Sequence, residues 1–140
     1  GYVHKPAYKD VAYGRTGHTE AIQIVFDPKK ITYAQLLTVF WRNIDPAAKN
    51  RQFCDGGTQY RSGIYTYDAV QAKAAAQSKT DLKTSGAYTG PIHTEIKAAT
   101  RFYPAETYHQ DFYKKKPEHY YRYRKGCGRD ARLKELWGAK

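Results

Sequence analysis

Cysteine is scarce in this sequence, and long apolar runs are absent from it. The 140 residues include two cysteines, Cys54 and Cys127, and no Cys-x-x-Cys motif. So few cysteines exclude a disulfide-rich scaffold and a zinc ribbon. One disulfide, a redox pair and two unrelated thiols all stay open. No apolar run approaches the ~18 residues that a membrane-spanning helix needs, so the sequence predicts no transmembrane helix.

Repeats, low-complexity tracts and interdomain linkers are also missing, and the composition is that of a globular protein. Apolar residues make up 41% of the chain and charged residues 26%, which suits a core under a charged surface. We therefore predict a single domain over residues 1–140. The first six residues lack the basic start and apolar stretch of a secretion signal, so a cytoplasmic location is the expectation.

Positive charge is plentiful, and the formal net charge of +11 is unevenly distributed. Residues 1–113 hold 14 Lys/Arg and 10 Asp/Glu, a net +4, whereas residues 114–140 hold 10 and 3, a net +7. We call residues 114–140 the basic strap; its cations alternate with Tyr120, Tyr121 and Tyr123. Cations and aromatic rings together suit a nucleic acid, and a solvated strap with its rings packed inward is the alternative. Because no nucleic-acid motif accompanies the charge, the second interpretation is favoured.

Hydrophobic patterning predicts strands and helices that alternate after a loop over residues 1–18. Three segments predict strands: 20–26, 61–67 and 92–98. Four segments predict helices: 33–44, 69–84, 104–115 and a short terminal helix that ends at Gly138. The capping box Thr32-x-x-Gln35 and the cap Asp68 mark two of the helix starts. The fold class expected is α+β, a two-layer sandwich of helices on a mixed or antiparallel sheet.

Glu20 is the first candidate for chemistry, because it opens an apolar strand directly after a turn that contains Gly14 and Gly17. A partly buried carboxyl group has a raised pKa and can donate a proton near neutral pH. A solvated glutamate at the end of a strand is the competing interpretation. His18 and Glu20 could also share a face as metal ligands, but a third ligand is missing.

The second candidate is the polar loop at 45–60, which contains two consecutive glycines. Glycine permits backbone shapes that other residues avoid, so Asp55 and Tyr60 could approach each other around a ligand. Tyr60 would there donate a hydrogen bond to a ligand oxygen, or else it is an aromatic residue of the core. Further along the chain, Glu106 and His109 share a helix face and could buttress this loop, without a catalytic role.

These two regions belong to a set of segments that resembles one known family. The other segments are PAY at 6–8, FWRNIDP at 40–46, FYPAETYHQD at 102–111 and CGRDARLKELWG at 127–138. All of them follow the order of the peptide methionine sulfoxide reductase A family with compatible spacing, and the chain resembles that family over essentially its whole length. The resemblance implies a ferredoxin-like core. It also implies the reduction of methionine sulfoxide, in proteins or free, with a preference for the S epimer at sulfur.

The resemblance assigns roles to five residues of this chain. It implies that Glu20 donates a proton to the sulfoxide oxygen. Tyr8 and Tyr60 would hold the same oxygen by hydrogen bonds, and Asp55 would line the pocket. In the family, a cysteine thiolate attacks the sulfur and becomes a sulfenic acid, which a second thiol resolves as a disulfide. Cys127 matches the region of the resolving thiols, or else it is an unpaired cysteine of the tail.

The resemblance further implies thioredoxin or another dithiol as the reductant, with no cofactor and no metal. The chain departs from the family at the nucleophile, because the family's attacking cysteine lies in a Gly-Cys-Phe-Trp segment that residues 1–140 do not contain. Cys54 is a poor substitute, since the negative charge of neighbouring Asp55 disfavours a thiolate. We therefore expect that the chain lacks the family's first strand and nucleophile-bearing helix, and that it alone shows no turnover. The alternatives to a reductase are a sulfoxide-binding pseudoenzyme and, less favoured, a basic nucleic-acid-binding domain.

Overall fold

The computed structural model describes residues 1–138, whose regular structure is mostly helical. The α-helices in this range are α1 Tyr8–Ala12, α2 Tyr33–Arg42, α3 Ala69–Thr84, α4 Phe112–Lys115, α5 Pro117–Gly126 and α6 Arg129–Trp137. The strands in this range are β1 Arg51–Gln52, β2 Asp55–Gly56, β3 Gly63–Thr66 and β4 Glu95–Ala98. Two short 3-10 helices lie at Thr58–Tyr60 and Thr107–His109. None of the helices described here combines the length and the apolar character that crossing a membrane requires.

The strands form two small sheets with different geometries. β3 and β4 run parallel, in register from Gly63 opposite Glu95 to Thr66 opposite Ala98. Parallel strands need a long crossover connection, and α3 lies in the segment that provides it. β1 and β2 form an antiparallel hairpin within the polar loop, and its turn contains Phe53 in a left-handed conformation with φ of 54°.

The core lies between α2, α3 and the β3–β4 sheet, and α6 adds its last residue to it. Seven apolar side chains are buried there: Leu37, Trp41, Ile64, Ala75, Leu82, Tyr88 and Trp137. The indole nitrogen of Trp41 donates a hydrogen bond to Ser78 Oγ of α3 over 2.9 Å. Trp137 brings the end of α6 into the core, where its ring centroid lies 5.7 Å from that of Tyr88. Each large buried side chain contributes about 1.5–3 kcal/mol, so α6 is held firmly at its C-terminal end.

Sequence patterns predicted α2 and α3 well, because both helices carry their start signals in side chains. The Thr32 hydroxyl accepts a hydrogen bond from the Gln35 backbone N–H (3.1 Å), and the Gln35 side chain accepts one from the Thr32 N–H (2.8 Å). Asp68 accepts a hydrogen bond from the Gln71 N–H (2.7 Å), and α3 covers the predicted residues 69–84. The α+β class is confirmed, and β3 and β4 each lie within a predicted strand.

The strand predicted at 20–26 is wrong for this chain, and with it the predicted three-stranded sheet. Within residues 1–138 this segment forms no strand and has no strand hydrogen-bonded beside it. Its apolar side chains are open to solvent: Ile22 is 83% and Val25 is 93% exposed. β-branched residues favour a strand only where a neighbour offers backbone partners and a face to pack against. The local pattern therefore indicated a strand for which the described residues supply no partner.

The helix predicted at 104–115 is also wrong, because it is split into two short pieces. The 3-10 helix at Thr107–His109 ends before Asp111, whose φ of 53° is left-handed and interrupts any α-helix. α4 begins only after this residue. Both ends of the segment favour a helix, but the backbone at Asp111 prevents one continuous helix.

Two helices were not predicted. α1 lies within the loop expected at 1–18; it is five residues long and buries none of them, so no apolar periodicity marks it. α5 begins at Pro117 and has Glu118 in its first turn, which are signals of a helix start that the sequence reasoning missed. The single domain with a basic strap stays a prediction, and the strap's last two residues lie outside the described range.

Candidate active site

Three residues expected to act on a sulfoxide oxygen, Tyr8, Glu20 and Tyr60, lie close together with Asp55, which was expected to line the same pocket. Tyr8 begins α1, Asp55 begins β2 and Tyr60 ends the 3-10 helix that follows it. The Tyr8 hydroxyl lies beside the Glu20 carboxyl group. Burial raises the pKa of Tyr8 to about 12, and Glu20, Tyr60 and Asp55 add to this rise because all three are within electrostatic reach. We call the space between these four side chains the pocket.

Glu20 has an environment that favours the protonated form of its carboxyl group more than water does. The side chain is half-buried, and burial raises its pKa above the ordinary value. The negative charge of Asp55 raises this pKa further, whereas the Tyr8 hydroxyl and His109 oppose the shift. Glu20 Oε1 is buried and has no hydrogen-bond partner among residues 1–138. A buried polar atom without a partner is expensive, so this oxygen is available to a ligand.

The two phenols of the pocket are hydrogen-bond donors throughout the physiological pH range. Burial raises the pKa of Tyr60, as it does that of Tyr8, and the charges of Glu20 and Asp55 raise it further. Both side chains are half-buried, so each can present its hydroxyl to a small polar ligand. An acid of raised pKa and two neutral phenols thus lie around one space.

Tyr8 is held in place by Glu106 and His109, which were expected to buttress the neighbouring loop. The His109 ring stacks on the Tyr8 ring with centroids 3.7 Å apart and an interplanar angle of 25°. The Tyr8 backbone N–H donates a hydrogen bond to Glu106 Oε1 over 3.2 Å. These contacts fix both the ring and the backbone of Tyr8, so the two residues position a pocket residue.

Gln59 joins the segments that carry Tyr8, Glu20 and Tyr60, and sequence reasoning missed it. Its side chain is buried, and its amide nitrogen donates a hydrogen bond to the Ala12 carbonyl at the end of α1 (2.8 Å). Its own carbonyl accepts a hydrogen bond from the Glu20 N–H (2.9 Å). Gly57 makes room for this side chain, since a Cβ there would lie 2.3 Å from Gln59 Oε1 and the backbone has φ of +135°.

Arg61 extends this support to the β3–β4 sheet. Its Nε donates to Glu95 Oε1 (2.9 Å), and its terminal nitrogens donate to the carbonyls of Thr58 (2.6 Å) and Gly17 (3.2 Å). Tyr65 also donates to Glu95 Oε1 over 2.7 Å. Although burial opposes the change, these hydrogen bonds lower the pKa of Glu95 and keep it charged. The arginine therefore ties the segments just before Glu20 and Tyr60 to β4 of the β3–β4 sheet.

The interpretation of His18 and Glu20 without a metal stays a prediction, and the structure shows what holds one nitrogen of the His18 ring. The Nε2 atom of His18 lies 2.7 Å from the Val3 carbonyl oxygen, so the backbone of the N-terminal segment holds this ring.

The two cysteines form a disulfide, one of the three arrangements that the sequence left open. Cys54 and Cys127 are 73 residues apart in the chain, and their Cα atoms are 4.9 Å apart. Cys54 directly precedes Asp55, so the disulfide lies at the edge of the pocket. Cys54 is exposed and Cys127 is half-buried. The role of Cys127 as a resolving thiol stays a prediction.

Tyr123 of the basic strap reaches the pocket, which no sequence signal indicated. Its hydroxyl donates a hydrogen bond to Asp55 Oδ1 and lies 3.8 Å from Cys54 Sγ. The bond to Asp55 and burial raise the pKa of Tyr123 well above the ordinary value, and Tyr60 and Tyr8 contribute to the rise. The expectation that the strap's rings pack inward is wrong for Tyr121, which is 59% exposed.

The other half of the strap is anchored away from the pocket. Arg132 of α6 donates from Nε to Asp45 Oδ2 over 2.8 Å, and the Asp45 side chain is only 10% exposed. Arg129 donates to the Asn43 carbonyl (3.0 Å), and its guanidinium lies 4.1 Å from the centre of the Phe53 ring. α6 is therefore fixed to the loop that carries Asp55 independently of the disulfide.

A half-buried acid, two phenols and a disulfide at the pocket edge define a redox protein whose site offers donors to an oxygen-bearing ligand. Comparison with known proteins identifies the family. The family described as Peptide methionine sulfoxide reductase matches residues 1–140. A Bacillus licheniformis protein named Peptide methionine sulfoxide reductase MsrA is 46% identical over 140 residues, which cover 100% of this chain and 77% of that protein. A Staphylococcus aureus protein named Peptide methionine sulfoxide reductase MsrA 2 is 43% identical over 138 residues, which cover 99% and 78%. The chain belongs to the peptide methionine sulfoxide reductase family.

Solved structures agree with this family and with the α+β fold. The chain resembles reduced Mxr1 from Saccharomyces cerevisiae with a TM-score of 0.75 and 37% identity, over 80% of this chain and 61% of that one. It resembles methionine sulfoxide reductase A of Corynebacterium diphtheriae with a TM-score of 0.71 and 35% identity, over 84% and 60%. The chain thus spans about three fifths of these two proteins.

Family membership places the chain among enzymes that reduce methionine sulfoxide in peptides, as its sequence resemblance implied. It favours this activity over the sulfoxide-binding pseudoenzyme and over the nucleic-acid-binding domain. The individual roles of Tyr8, Glu20, Asp55, Tyr60 and Cys127 stay predictions.

Proposed function

We propose that the pocket binds the oxygen of a methionine sulfoxide and protonates it while the sulfur is reduced. Glu20 supplies the proton, and the hydroxyls of Tyr8 and Tyr60 donate hydrogen bonds to the same oxygen. Asp55 lines the pocket beside them. As a thiolate attacks the sulfur, negative charge develops on the oxygen, and these three donors stabilise it.

One observation carries this proposal: the buried Oε1 atom of Glu20 has no partner among residues 1–138. Burial also raises the pKa of this carboxyl group, so its neutral form is favoured. A neutral carboxyl group is a donor, and a sulfoxide oxygen is an acceptor that carries no proton of its own. A sulfoxide therefore complements this group in a way that the corresponding sulfide does not.

We propose thioredoxin or another dithiol as the source of electrons, without a further cofactor. The sulfoxide and a thiol give the sulfide and a sulfenic acid, and the sulfenic acid and a second thiol give a disulfide and water. A dithiol then reduces this disulfide by exchange. Each dithiol supplies the two electrons that the sulfoxide sulfur accepts, so no metal is needed for the balance. A cytoplasmic location, in line with a dithiol reductant, is part of the same proposal.

A binding experiment tests the pocket without requiring turnover. Titration of the chain with blocked methionine sulfoxide, followed by NMR, should show specific binding, whereas the corresponding sulfide should bind at least about tenfold more weakly. Tyr8→Phe and Tyr60→Phe should each weaken sulfoxide binding about three- to tenfold, because each removes one hydrogen bond. The matched control is Tyr13→Phe, since Tyr13 ends the same short helix and is 73% exposed.

The same titration identifies the acid. Wild-type affinity should fall as the pH rises through the raised pKa of Glu20, because only the protonated carboxyl group donates. Glu20→Gln keeps a donor at this position and should bind the sulfoxide with little dependence on pH. Equal affinity for sulfoxide and sulfide, or the same pH profile in both proteins, would contradict the proposal.

Turnover is a separate expectation, because the attacking cysteine of the family lies in a motif that residues 1–140 do not contain. Dithiothreitol can open the Cys54–Cys127 disulfide, but neither of these two cysteines lies in that motif. We therefore expect no sulfoxide reduction by the 140-residue chain supplied with dithiothreitol. A rate comparable with those of its relatives in a parallel assay would disprove this.

A further inference from the structure

The two helices of the basic strap, α5 and α6, differ in how many buried contacts hold them to the rest of the fold. α6 is fixed by Trp137 in the core and by the ion pair of Arg132 with Asp45. α5, by contrast, buries none of its residues. Its contacts with the polar loop at 45–60 include the Tyr123–Asp55 hydrogen bond. Cys127, the first residue after α5, is joined to the same loop by the disulfide. Local stability depends on buried contacts, so α5 belongs to the least stable part of the fold.

The backbone around Cys127 contains two glycines, which give it more conformational freedom than other residues would. Gly126 and Gly128 flank the cysteine, and Gly128 has a left-handed φ of +72° with open space where a Cβ would lie. Gly126 also has no neighbour that a side chain would meet. Gly126 ends α5 and Gly128 precedes the anchored α6, so two glycines lie at the junction of these helices, which the exposed ion pair of Arg124 with Asp130 also bridges.

Tyr123 is the strap residue that meets the pocket. Its hydroxyl donates a hydrogen bond to one carboxylate oxygen of Asp55, and the phenols of Tyr8 and Tyr60 are near enough to raise the pKa of Tyr123. The ring is 51% exposed, so its displacement requires little loss of buried apolar contact.

We infer that Tyr123 is a gate on the pocket and that the Cys54–Cys127 disulfide is the redox clasp that keeps this gate closed. In the oxidised chain the clasp holds the end of α5 next to Asp55, and the Tyr123 hydroxyl stays on the carboxylate. Reduction frees this end, the strap rotates about its glycines, and the pocket opens to the sulfoxide. The inference rests on the proposed function in taking the pocket as the place where the sulfoxide binds.

The opening step is a thiol–disulfide exchange. A thiolate of a dithiol reductant attacks Cys54 Sγ, which is exposed, and forms a mixed disulfide while Cys127 leaves as a thiolate. The second thiol of the reductant then attacks the mixed disulfide and releases Cys54. The protein gains two electrons and two protons, and the reductant leaves as its own disulfide. A shallow depression formed by His119, Arg122, Tyr123 and Gly126 adjoins Cys127, and its Arg122 guanidinium is a cation near the leaving thiolate.

Hydrogen exchange of the oxidised and reduced chain tests the clasp directly. On reduction, amides of α5 should exchange about tenfold faster, whereas amides of α3 should not change. Tyr123→Phe should speed α5 exchange in the oxidised chain to a smaller extent. The matched control is Tyr121→Phe, because Tyr121 lies on the same helix and is 59% exposed. Equal exchange of α5 in both redox states would overturn the inference.

Sulfoxide binding tests the gate. Reduction, Tyr123→Phe and the double variant Cys54→Ser/Cys127→Ser should each tighten the binding of blocked methionine sulfoxide about three- to tenfold. Reversible reduction of the wild type guards against a serine variant that fails to fold. Unchanged or weaker binding in the reduced wild type would overturn the gate. Binding in no state, together with faster exchange of α5 on reduction, would instead refute the proposed function and leave the clasp intact.

Discussion

Reduction of the Cys54–Cys127 disulfide should lower the stability of the fold by an amount set by its place in the chain. The two cysteines are 73 residues apart, so the disulfide closes a loop of about half the molecule. A cross-link of this length removes about 4 kcal/mol of conformational entropy, expressed as free energy at 25 °C, from the unfolded chain. We expect the native contacts of α6 to survive reduction. The stability lost on reduction then comes mainly from the unfolded chain, which regains the conformational entropy that the disulfide had removed.

The expected change in melting temperature follows from the size of the chain. A protein of 140 residues has an unfolding entropy of about 0.3 kcal/mol per kelvin. Because measured effects of disulfides are often below the entropic limit, we take about 3–4 kcal/mol. The melting temperature should then fall by roughly 10–14 °C on reduction.

Calorimetry or circular dichroism with and without a phosphine reductant measures this shift. The double variant Cys54→Ser/Cys127→Ser is the control, since it should melt with the reduced wild type and be indifferent to reductant. A shift below about 2 °C would refute the reasoning, because it would mean that the unfolded chain is not restrained by the link.

Three further predictions concern the pocket and its supports. Glu20→Gln should melt higher than the wild type at about pH 8 but not at about pH 4: burial raises the pKa of Glu20, so the wild type loses stability as the pH rises through that raised pKa. Gly57→Ala should destabilise the fold by about 1–3 kcal/mol in urea unfolding, because the backbone is strained for other residues and the new Cβ would displace Gln59. Arg132→Ala should cost about 1–3 kcal/mol in the same assay, because it leaves the nearly buried Asp45 carboxylate without its partner.

Each of these predictions has a control or an outcome that contradicts it. The same difference in melting temperature at both pH values would show that the charge of Glu20 does not matter to the fold. Gly56→Ala is the control for Gly57, because nothing lies within 4 Å of its added Cβ; equal losses for the two variants would contradict the packing argument. Arg122→Ala removes a cation from the exposed face of α5 and should change stability by less than about 0.5 kcal/mol.

Local signals explain why parts of the fold were predictable from sequence. The capping side chains of Thr32 and Asp68 act within one turn of the residues that carry them, so they mark α2 and α3 without knowledge of the rest of the fold. The family segments likewise identified Tyr8, Glu20 and Tyr60 before any contact between them was known. A helix cap depends on neighbouring residues in the chain, and a family segment depends on residue types in order. Neither signal requires knowledge of tertiary packing.

The segment 20–26 shows where local information fails. Its β-branched residues have the composition of a strand, but a strand exists only when a second one bonds to it. The described residues offer no such neighbour, and Ile22 and Val25 face solvent. Local information also fails at Asp111, where the predicted helix is interrupted. The left-handed backbone of Asp111 does not follow from the helix preference of the surrounding sequence.

By itself the sequence determined the family, the α+β class and the caps of two helices, because each is expressed in residue types at short spacing, and it predicted Tyr8, Glu20 and Tyr60 as members of one site. Only the tertiary structure decided that Cys54 pairs with Cys127, since chain-distant thiols meet through packing. It also decided that Tyr123 lies on Asp55. The physical reason is that contacts across 68 or more residues depend on how helices dock, and no local preference encodes that docking.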